Sequence, residues 1–244
     1  MPLLLVSVRN ATEARLALEA GVDILDVKEP SLGSLGAAPN EVLAEIGEIA
    51  ANCPGRLFTA AMGELTDLID SSRLPAIPAT FGLLKVGLSG CRSLSDWPMQ
   101  WAHVRESIES RAGKRFDWAG VAYVDEREAG SPPVHDVLET AIEAKCRFLL
   151  LDTWSKSAGR LSNFFSDRAL AELGRQCRGA GLQLAVAGRL RVEDLTDSLL
   201  AAADVVAVRS AVCRNQQRVG AIDPEAIQKW RSVLRVSAAD RHEV

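Results

Sequence analysis

A single-domain (β/α)8 TIM barrel is the fold this sequence predicts, on three observations. Short apolar runs alternate with helix-forming segments eight times along the chain. The runs are hydrophobic almost throughout, as parallel strands covered on both faces are. The length, 244 residues, is usual for one such barrel. A doubly wound open sheet is the main competitor, and the absence of a GxGxxG fingerprint after an early strand weakens it. The barrel is expected over residues 1–236, with a polar tail at 237–244.

Leu3 to Val8 is the first strand. Asn10 caps a helix from Ala11 to Ala20, which Gly21 stops. Ile24 to Lys28 is the second strand, and Pro30, Gly33 and Gly36 then impose a loop. A helix from Asn40 to Ala51, with Asn40 as cap, leads to a third strand at Arg56–Ala61. A short helix follows at Glu64–Ser71, and Pro75 and Pro78 bound an irregular connection. LLKVGL, Leu83 to Leu88, is the fourth strand.

Ser93 to Arg111 reads as helix, disturbed at its start by Pro98. The fifth strand spans Trp118–Val124 and ends at Asp125. A helix from Pro133 to Ala144 precedes the sixth strand, Arg147–Leu151, which ends at Asp152. Thr153 to Phe165 is polar and glycine-containing, the pattern of a functional loop. The helix Asp167–Ala180 precedes the seventh strand, Leu182–Ala187, and a short helix, Val192–Leu200, precedes the eighth, Asp204–Val208. The last helix, Pro224–Leu234, has Asp223 as cap and proline at its first position.

Composition excludes several classes. Net charge is −4, whereas nucleic-acid binders carry a basic face. No run approaches the roughly 20 apolar residues of a membrane span, and the N-terminus lacks the pattern of a signal peptide. Cys53, Cys91, Cys146, Cys177 and Cys213 are scattered, so free thiols in a reducing cytoplasm are expected. Histidines 103, 135 and 242 fall on helices or the tail without metal-ligand spacing, so no metal is expected. A homo-oligomer is compatible with the chain, since barrels often assemble through their outer helices.

Barrel enzymes work at the C-terminal mouth of their strands. The residues placed there are Asp26 with Lys28, Lys85, Asp125, Asp152 with Lys156, Gly188 with Arg189, and Arg209 with Ser210. Asp26 and Lys28 are two apart and share a face of their strand. A lysine in an apolar strand has its ammonium form disfavoured by burial, and two lysines facing one cavity depress each other further. The result is a free amine, which attack on an aldehyde requires. The three aspartates would set protonation and relay protons. Trp154, between Asp152 and Lys156, would cover the site.

Plainer readings stand beside these: Lys85 as an outward lysine on an edge strand, Lys28 in a surface pair with Asp26, and Lys156 as a solvated loop residue. The loops after strands seven and eight, at Gly188-Arg189 and Arg209-Ser210, lie where barrels bind phosphate. Ser34 and Gly36 offer a second anion site or an ordinary polar loop.

The stretch LLLVSVRNATEARLALEAGVDILDVKEPSLGSLGAA, with LLKVGL, LLLDTWSK, AVAG and VAVRSAVC, resembles the (5-formylfuran-3-yl)methyl phosphate synthase family. The likeness runs from about Leu3 to Ile222. It implies a barrel enzyme of furan-cofactor biosynthesis, for methanofuran or methylofuran. Two molecules of glyceraldehyde 3-phosphate would be joined with loss of one phosphate and two waters, giving 4-(hydroxymethyl)-2-furancarboxaldehyde phosphate. By the family pattern Lys28 forms the Schiff base and Lys85 accepts and donates protons. Asp26, Asp152 and Lys156 match the catalytic cluster, and no cofactor or metal is implied.

The chain departs from the pattern at Ser157-Ala158, where an acidic residue and glycine are expected, and at Ser210, where glycine is more usual. Two alternatives remain: another Schiff-base aldolase acting on a phosphorylated carbonyl, and a non-catalytic phosphometabolite-binding barrel.

Overall fold

The computed structural model describes residues 1–155 and 159–239. Over these residues the strands pair in parallel and in sequence order, and β8 closes onto β1 to complete the barrel. The first half alternates β1 (Leu3–Val8), α1 (Ala11–Glu19), β2 (Ile24–Val27), α2 (Asn40–Ala51), β3 (Leu57–Glu64), α3 (Leu65–Leu68) and β4 (Leu83–Gly87). Then come α4 (Trp97–Ala112), β5 (Asp117–Tyr123), α5 (Glu126–Ala129), α6 (Val134–Glu143) and β6 (Phe148–Asp152). The chain finishes with α7 (Asp167–Gly179), β7 (Gln183–Val186), α8 (Asp197–Ala202), β8 (Val205–Val208) and α9 (Pro224–Ala239). Among the described residues no helix is long and apolar enough to cross a membrane.

The strands separate two apolar layers. Leu4, Val6, Val8, Leu25 and Val27 face outward and are covered by the helices, in contact with Ala14, Leu43 and Ile46. The opposite parity fills the barrel: Leu5, Ile24, Leu83, Val121, Phe148, Leu150 and Val205. This double covering explains the near-continuous hydrophobicity of the strands.

Inward positions change character along each strand. Leu5 is followed two residues on by Ser7, Ile24 by Asp26, Leu83 by Lys85, and Leu150 by Asp152. Apolar side chains therefore close the N-terminal half, while polar ones collect at the C-terminal mouth. In the register Ser7 stands beside Asp26 and Asp26 beside Thr59.

Four expectations change. β3 runs on to Glu64 instead of stopping at Ala61, because the β3–β4 register shifts between Ala61 and Glu64, where Gly63 takes φ +98°. Asn40 does not cap α2. It is the first helical residue, behind Pro39, and its side chain accepts from the Ala76 N–H at 2.9 Å. The single helix expected over 192–200 is a 3-10 turn, Val192–Asp194, followed by α8. Asp194 folds back to accept from the Arg191 N–H at 2.8 Å, and Thr196 starts the new helix by accepting from the Leu199 N–H at 3.2 Å. Finally, α9 extends to Ala239, so residues 237–239 are helical rather than tail. No glycine or proline stops it there, and two alanines favour it.

Asn10 does cap α1, accepting from the Glu13 N–H at 2.9 Å. Glu13 in turn reaches back to accept from the Arg9 N–H at 2.9 Å, a variant of the reciprocal cap of helix starts. The same carboxylate meets Arg209, just beyond β8, at 2.5 and 3.0 Å. This buried pair joins the last strand to the first helix. Glu13→Ala would leave the Arg209 guanidinium buried without its counter-ion and should cost roughly 3–5 kcal/mol. Urea denaturation measures that loss.

Candidate active site

Asp26 is buried on β2 and accepts three side-chain hydrogen bonds. Ser7 Oγ donates to Oδ2 at 3.0 Å, Thr59 Oγ1 to Oδ1 at 2.7 Å, and Lys85 Nζ to Oδ1 at 2.5 Å. Lys85 is itself buried, so this ion pair spans the barrel interior from β4 to β2. Burial alone would raise the Asp26 carboxyl. The Lys85 and Lys28 charges, with the Lys85 and Thr59 hydrogen bonds, overcome it and hold the group below the usual carboxylate range.

Lys28 follows β2 directly, on the same face as Asp26. Its ammonium has no hydrogen-bond or ion-pair partner among the described residues. Burial pushes its pKa below the ordinary lysine value. The carboxylates of Asp152 and Asp26 oppose that, while Lys85 and Arg218 add to it. The expected depression of Lys28 by Lys85 is present, beside a division in contacts: Lys85 has taken the Asp26 carboxylate, and Lys28 touches none among the described residues.

Asp152 ends β6. Its Oδ1 accepts from the Thr153 N–H at 2.8 Å and its Oδ2 from Ser34 Oγ at 3.1 Å. Ser34 also contacts the Thr153 carbonyl at 3.0 Å. The loop after β2 therefore buttresses Asp152. Ser34 was expected to hold an anion, but its hydroxyl proton is engaged. Gly36 was expected to help and instead closes the loop. Its carbonyl accepts from the Glu29 N–H at 2.8 Å, and a Cβ there would overlap the Glu29 carbonyl oxygen.

Three more expectations are redirected. Asp125 was expected to relay protons. Its carboxylate accepts from the backbone N–H groups of Trp154 and Ser155 at 2.8 and 2.7 Å, and so orders the start of the loop after β6. Trp154 was expected to cover the site, and it is exposed. The Arg209 guanidinium was expected to grip phosphate. Besides its two bonds to Glu13 it donates to the carbonyls of Ser7, Arg218 and Gly220 at 3.0, 2.8 and 2.9 Å. With all five N–H groups engaged, it is a tie between segments.

A cavity of about 250 Å³ opens at the mouth, lined by Lys28, Ser34, Asp152, Gly188 and Ser210 among others. Gly188 takes φ +94°, and its backbone packs so closely on Thr153 that a Cβ would crowd the threonine methyl at 3.0 Å. Arg189, also at positive φ, and Arg209 reach the same cavity wall. Lys156 lies outside the described residues, as do Ser157 and Ala158. Among the described residues no cluster of three or more His, Cys, Asp or Glu is placed to hold a metal ion, and the five cysteines are free.

Three features were not anticipated. Tyr123, on the inner face of β5, donates to Glu64 Oε1 at 2.6 Å, and the Ser89 N–H donates to Oε2 at 2.9 Å. Burial raises the Glu64 carboxyl despite these bonds, and nearby Asp67 and Asp152 add to the rise. Gly87 makes room for the pair, since a Cβ there would overlap both groups. Glu64 points inward only because of the β3 irregularity, which no residue pattern announces. Tyr123 was findable, as the sole tyrosine of the chain and a polar group near the end of an apolar strand. The third is Arg218, which reaches the cavity from the segment after β8.

A family model described as 4-HFC-P synthase matches residues 4–231. The chain belongs to the 4-HFC-P synthase family. A (5-formylfuran-3-yl)methyl phosphate synthase of Methanopyrus kandleri is 32% identical over 246 residues, covering 96% of this chain and 99% of the relative. One from Methanococcus maripaludis is also 32% identical, over 224 residues, covering 89% and 94%. This 4-HFC-P synthase relationship makes the chain an enzyme, a furan phosphate synthase by family.

Solved structures extend the fold match beyond the family. Phosphoribosyl anthranilate isomerase from Thermus thermophilus has a TM-score of 0.58 at 15% identity, covering 98% of this chain and 99% of its own. KGPDC from Streptococcus mutans gives 0.57 at 11%, covering 96% and 97%. At such identities the likeness is one of fold.

The lowered Lys28 value has a thermodynamic consequence. Between that value and the unfolded 10.5, the unfolded chain holds a proton that the native state does not, so stability rises with pH through this window. Below the window the native state carries the full penalty of the enclosed ammonium. Lys28→Met should remove that pH dependence and be more stable than the parent at neutral pH, by about 1 kcal/mol. Denaturant titrations at several pH values read both effects.

Proposed function

We propose that this synthase condenses two molecules of glyceraldehyde 3-phosphate through a Schiff base on Lys28. The observation that carries the reading is the division of the two lysines: Lys85 bound to Asp26 at 2.5 Å, and Lys28 without a partner among the described residues at the cavity surface. A depressed pKa raises the fraction of free amine at neutral pH, and the free amine is the nucleophile.

Lys28 Nζ attacks the aldehyde carbon of one triose phosphate, and loss of water gives an iminium. The iminium draws electrons from its neighbouring carbon, so a proton leaves there and an enamine forms. Lys85 exchanges that proton. Asp26 supports it by holding the Lys85 ammonium in place at 2.5 Å. Asp152, held by Ser34 and the Thr153 N–H, serves proton transfers at the imine. Lys156 belongs to the same proposal by family pattern.

One enamine electron pair expels phosphate from the β-carbon, and a second, regenerated by a further proton loss, adds to the second aldehyde, in either order. Ring closure and loss of two waters form the furan, and hydrolysis of the imine, which takes back the water lost on forming it, releases the product and frees Lys28. In total, two trioses give one furan phosphate, one phosphate and two waters. Gly188, Arg189 and Ser210 are assigned to phosphate. Among the described residues the N–H groups of Gly188 and Ser210 have no acceptor outside the strand ladders. The Arg209 side chain is left out of this role.

Borohydride added during turnover of glyceraldehyde 3-phosphate should fix a covalent adduct on Lys28, located by peptide mass spectrometry. Lys28→Ala should lose at least about a thousandfold in kcat, as expected when a covalent nucleophile is removed. An adduct on another lysine, or an active Lys28→Ala enzyme, would discard the assignment. A furan product separates this reading from a simple aldolase.

A further inference from the structure

We infer that Arg218 is the charged phosphate-binding group of this site, presented to the cavity by a segment built to hold it there. The inference rests on the proposed triose-phosphate chemistry and names the residue that recognises its anion.

The segment after β8 has no long helix or strand to fix it, yet it is tied at many points. The antiparallel bridge Cys213–Ile222 closes its base, and the Arg214 N–H donates to the Ala221 carbonyl at 2.9 Å. Three successive carbonyls at its tip are then held by arginines. Arg209 Nε donates to Arg218 O at 2.8 Å, Arg9 Nη1 to Val219 O at 2.8 Å, and Arg209 Nη2 to Gly220 O at 2.9 Å. Both arginines are anchored in turn, Arg209 by Glu13 and Arg9 by Glu29 at 2.9 Å. The backbone of residue 218 is therefore fixed from below.

Its side chain is not consumed in that framework. Arg218 Nη2 donates to the Gly33 carbonyl at 2.8 Å, and no other acceptor for the guanidinium exists among the described residues. The remaining N–H groups are on a partly buried side chain that lines the cavity with Lys28, Gly188 and Ser210. Leaving such a charge partly desolvated is unfavourable unless a ligand completes it. Asp152 and Glu29 are the carboxylates that act on it and Arg209 is the neighbouring cation, and neither carboxylate forms an ion pair with it among the described residues. A guanidinium donates two parallel hydrogen bonds to a phosphate, which a lysine does not reproduce.

This assignment also explains the two-arginine layout. Arg209, whose sequence position suggested a phosphate grip, sets the backbone of Arg218, and Arg218 makes the contact. Asp152 and Lys28 lie close enough to feel the same guanidinium, so a phosphate held there brings its triose to the amine.

The test compares Arg218→Gln and Arg218→Lys with the parent. Three readouts are used: steady-state kinetics on glyceraldehyde 3-phosphate, calorimetric binding of inorganic phosphate, and borohydride trapping with glyceraldehyde 3-phosphate against unphosphorylated glyceraldehyde. Arg218→Gln should raise KM at least about tenfold with a smaller fall in kcat, weaken phosphate binding by a similar factor, and lose about tenfold in the trapping preference for the phosphorylated aldehyde. Arg218→Lys should recover part of each.

Unchanged phosphate affinity and trapping preference in Arg218→Gln would overturn the inference, and so would equal losses with both aldehydes, which would mark a structural role. Should Arg218→Gln unfold, Arg218→Lys against the parent decides by the same preference. If the parent makes no furan yet Arg218→Gln still loses phosphate affinity, the reaction proposal fails and this inference stands.

Discussion

One carboxylate stands between two lysines at the mouth of this barrel, and how it is shared determines the chemistry available. Asp26 accepts from Ser7, Thr59 and Lys85, so its lone pairs are directed away from Lys28. Coulomb attraction is strong in a medium of low dielectric, but it falls with distance and does not replace a contact. Lys28 feels Asp26 and Asp152 without touching either, and burial prevails over both. In the proposed reaction Lys85 carries protons and Lys28 carries substrate.

Parity along the strands makes this arrangement possible. Positions two apart alternate from apolar packing to chemistry within a few residues, as in Ile24, Asp26 and Lys28 or Leu150 and Asp152. The lower layer excludes water from below and fixes the strands. The upper layer is then oriented by hydrogen bonds, and around it the loops act mostly as supports. Ser34 braces Asp152, Asp125 orders the turn after β6, and Glu13 with Arg209 locks the ends of the barrel together.

Much of this was legible in the residues. Continuous apolar runs gave away strands buried on both faces, and charges at their ends located the mouth. Asp26, Lys28, Lys85 and Asp152 stand where strand parity puts them. Loop residues were harder, because a side chain beyond a strand can turn toward ligand or toward structure. Arg209, Asp125, Ser34 and Gly36 all turned toward structure, satisfying buried carboxylates and backbone groups that a linear reading does not see. Glu64 was missed because a register irregularity reversed its direction, and Arg218 because its position depends on ties from Arg209 nearby and from Arg9 at the other end of the chain.

The central claim is that Lys28 supplies the free amine. The most direct measurement is an NMR titration of the lysine side chains, using carbon-13 label at Cε and assignment by Lys28→Met. The account predicts that the Lys28 resonance titrates below the ordinary lysine value of 10.5, and that Asp26→Asn lowers its midpoint further by removing a favourable charge. A Lys28 resonance titrating at or above that ordinary value would contradict it.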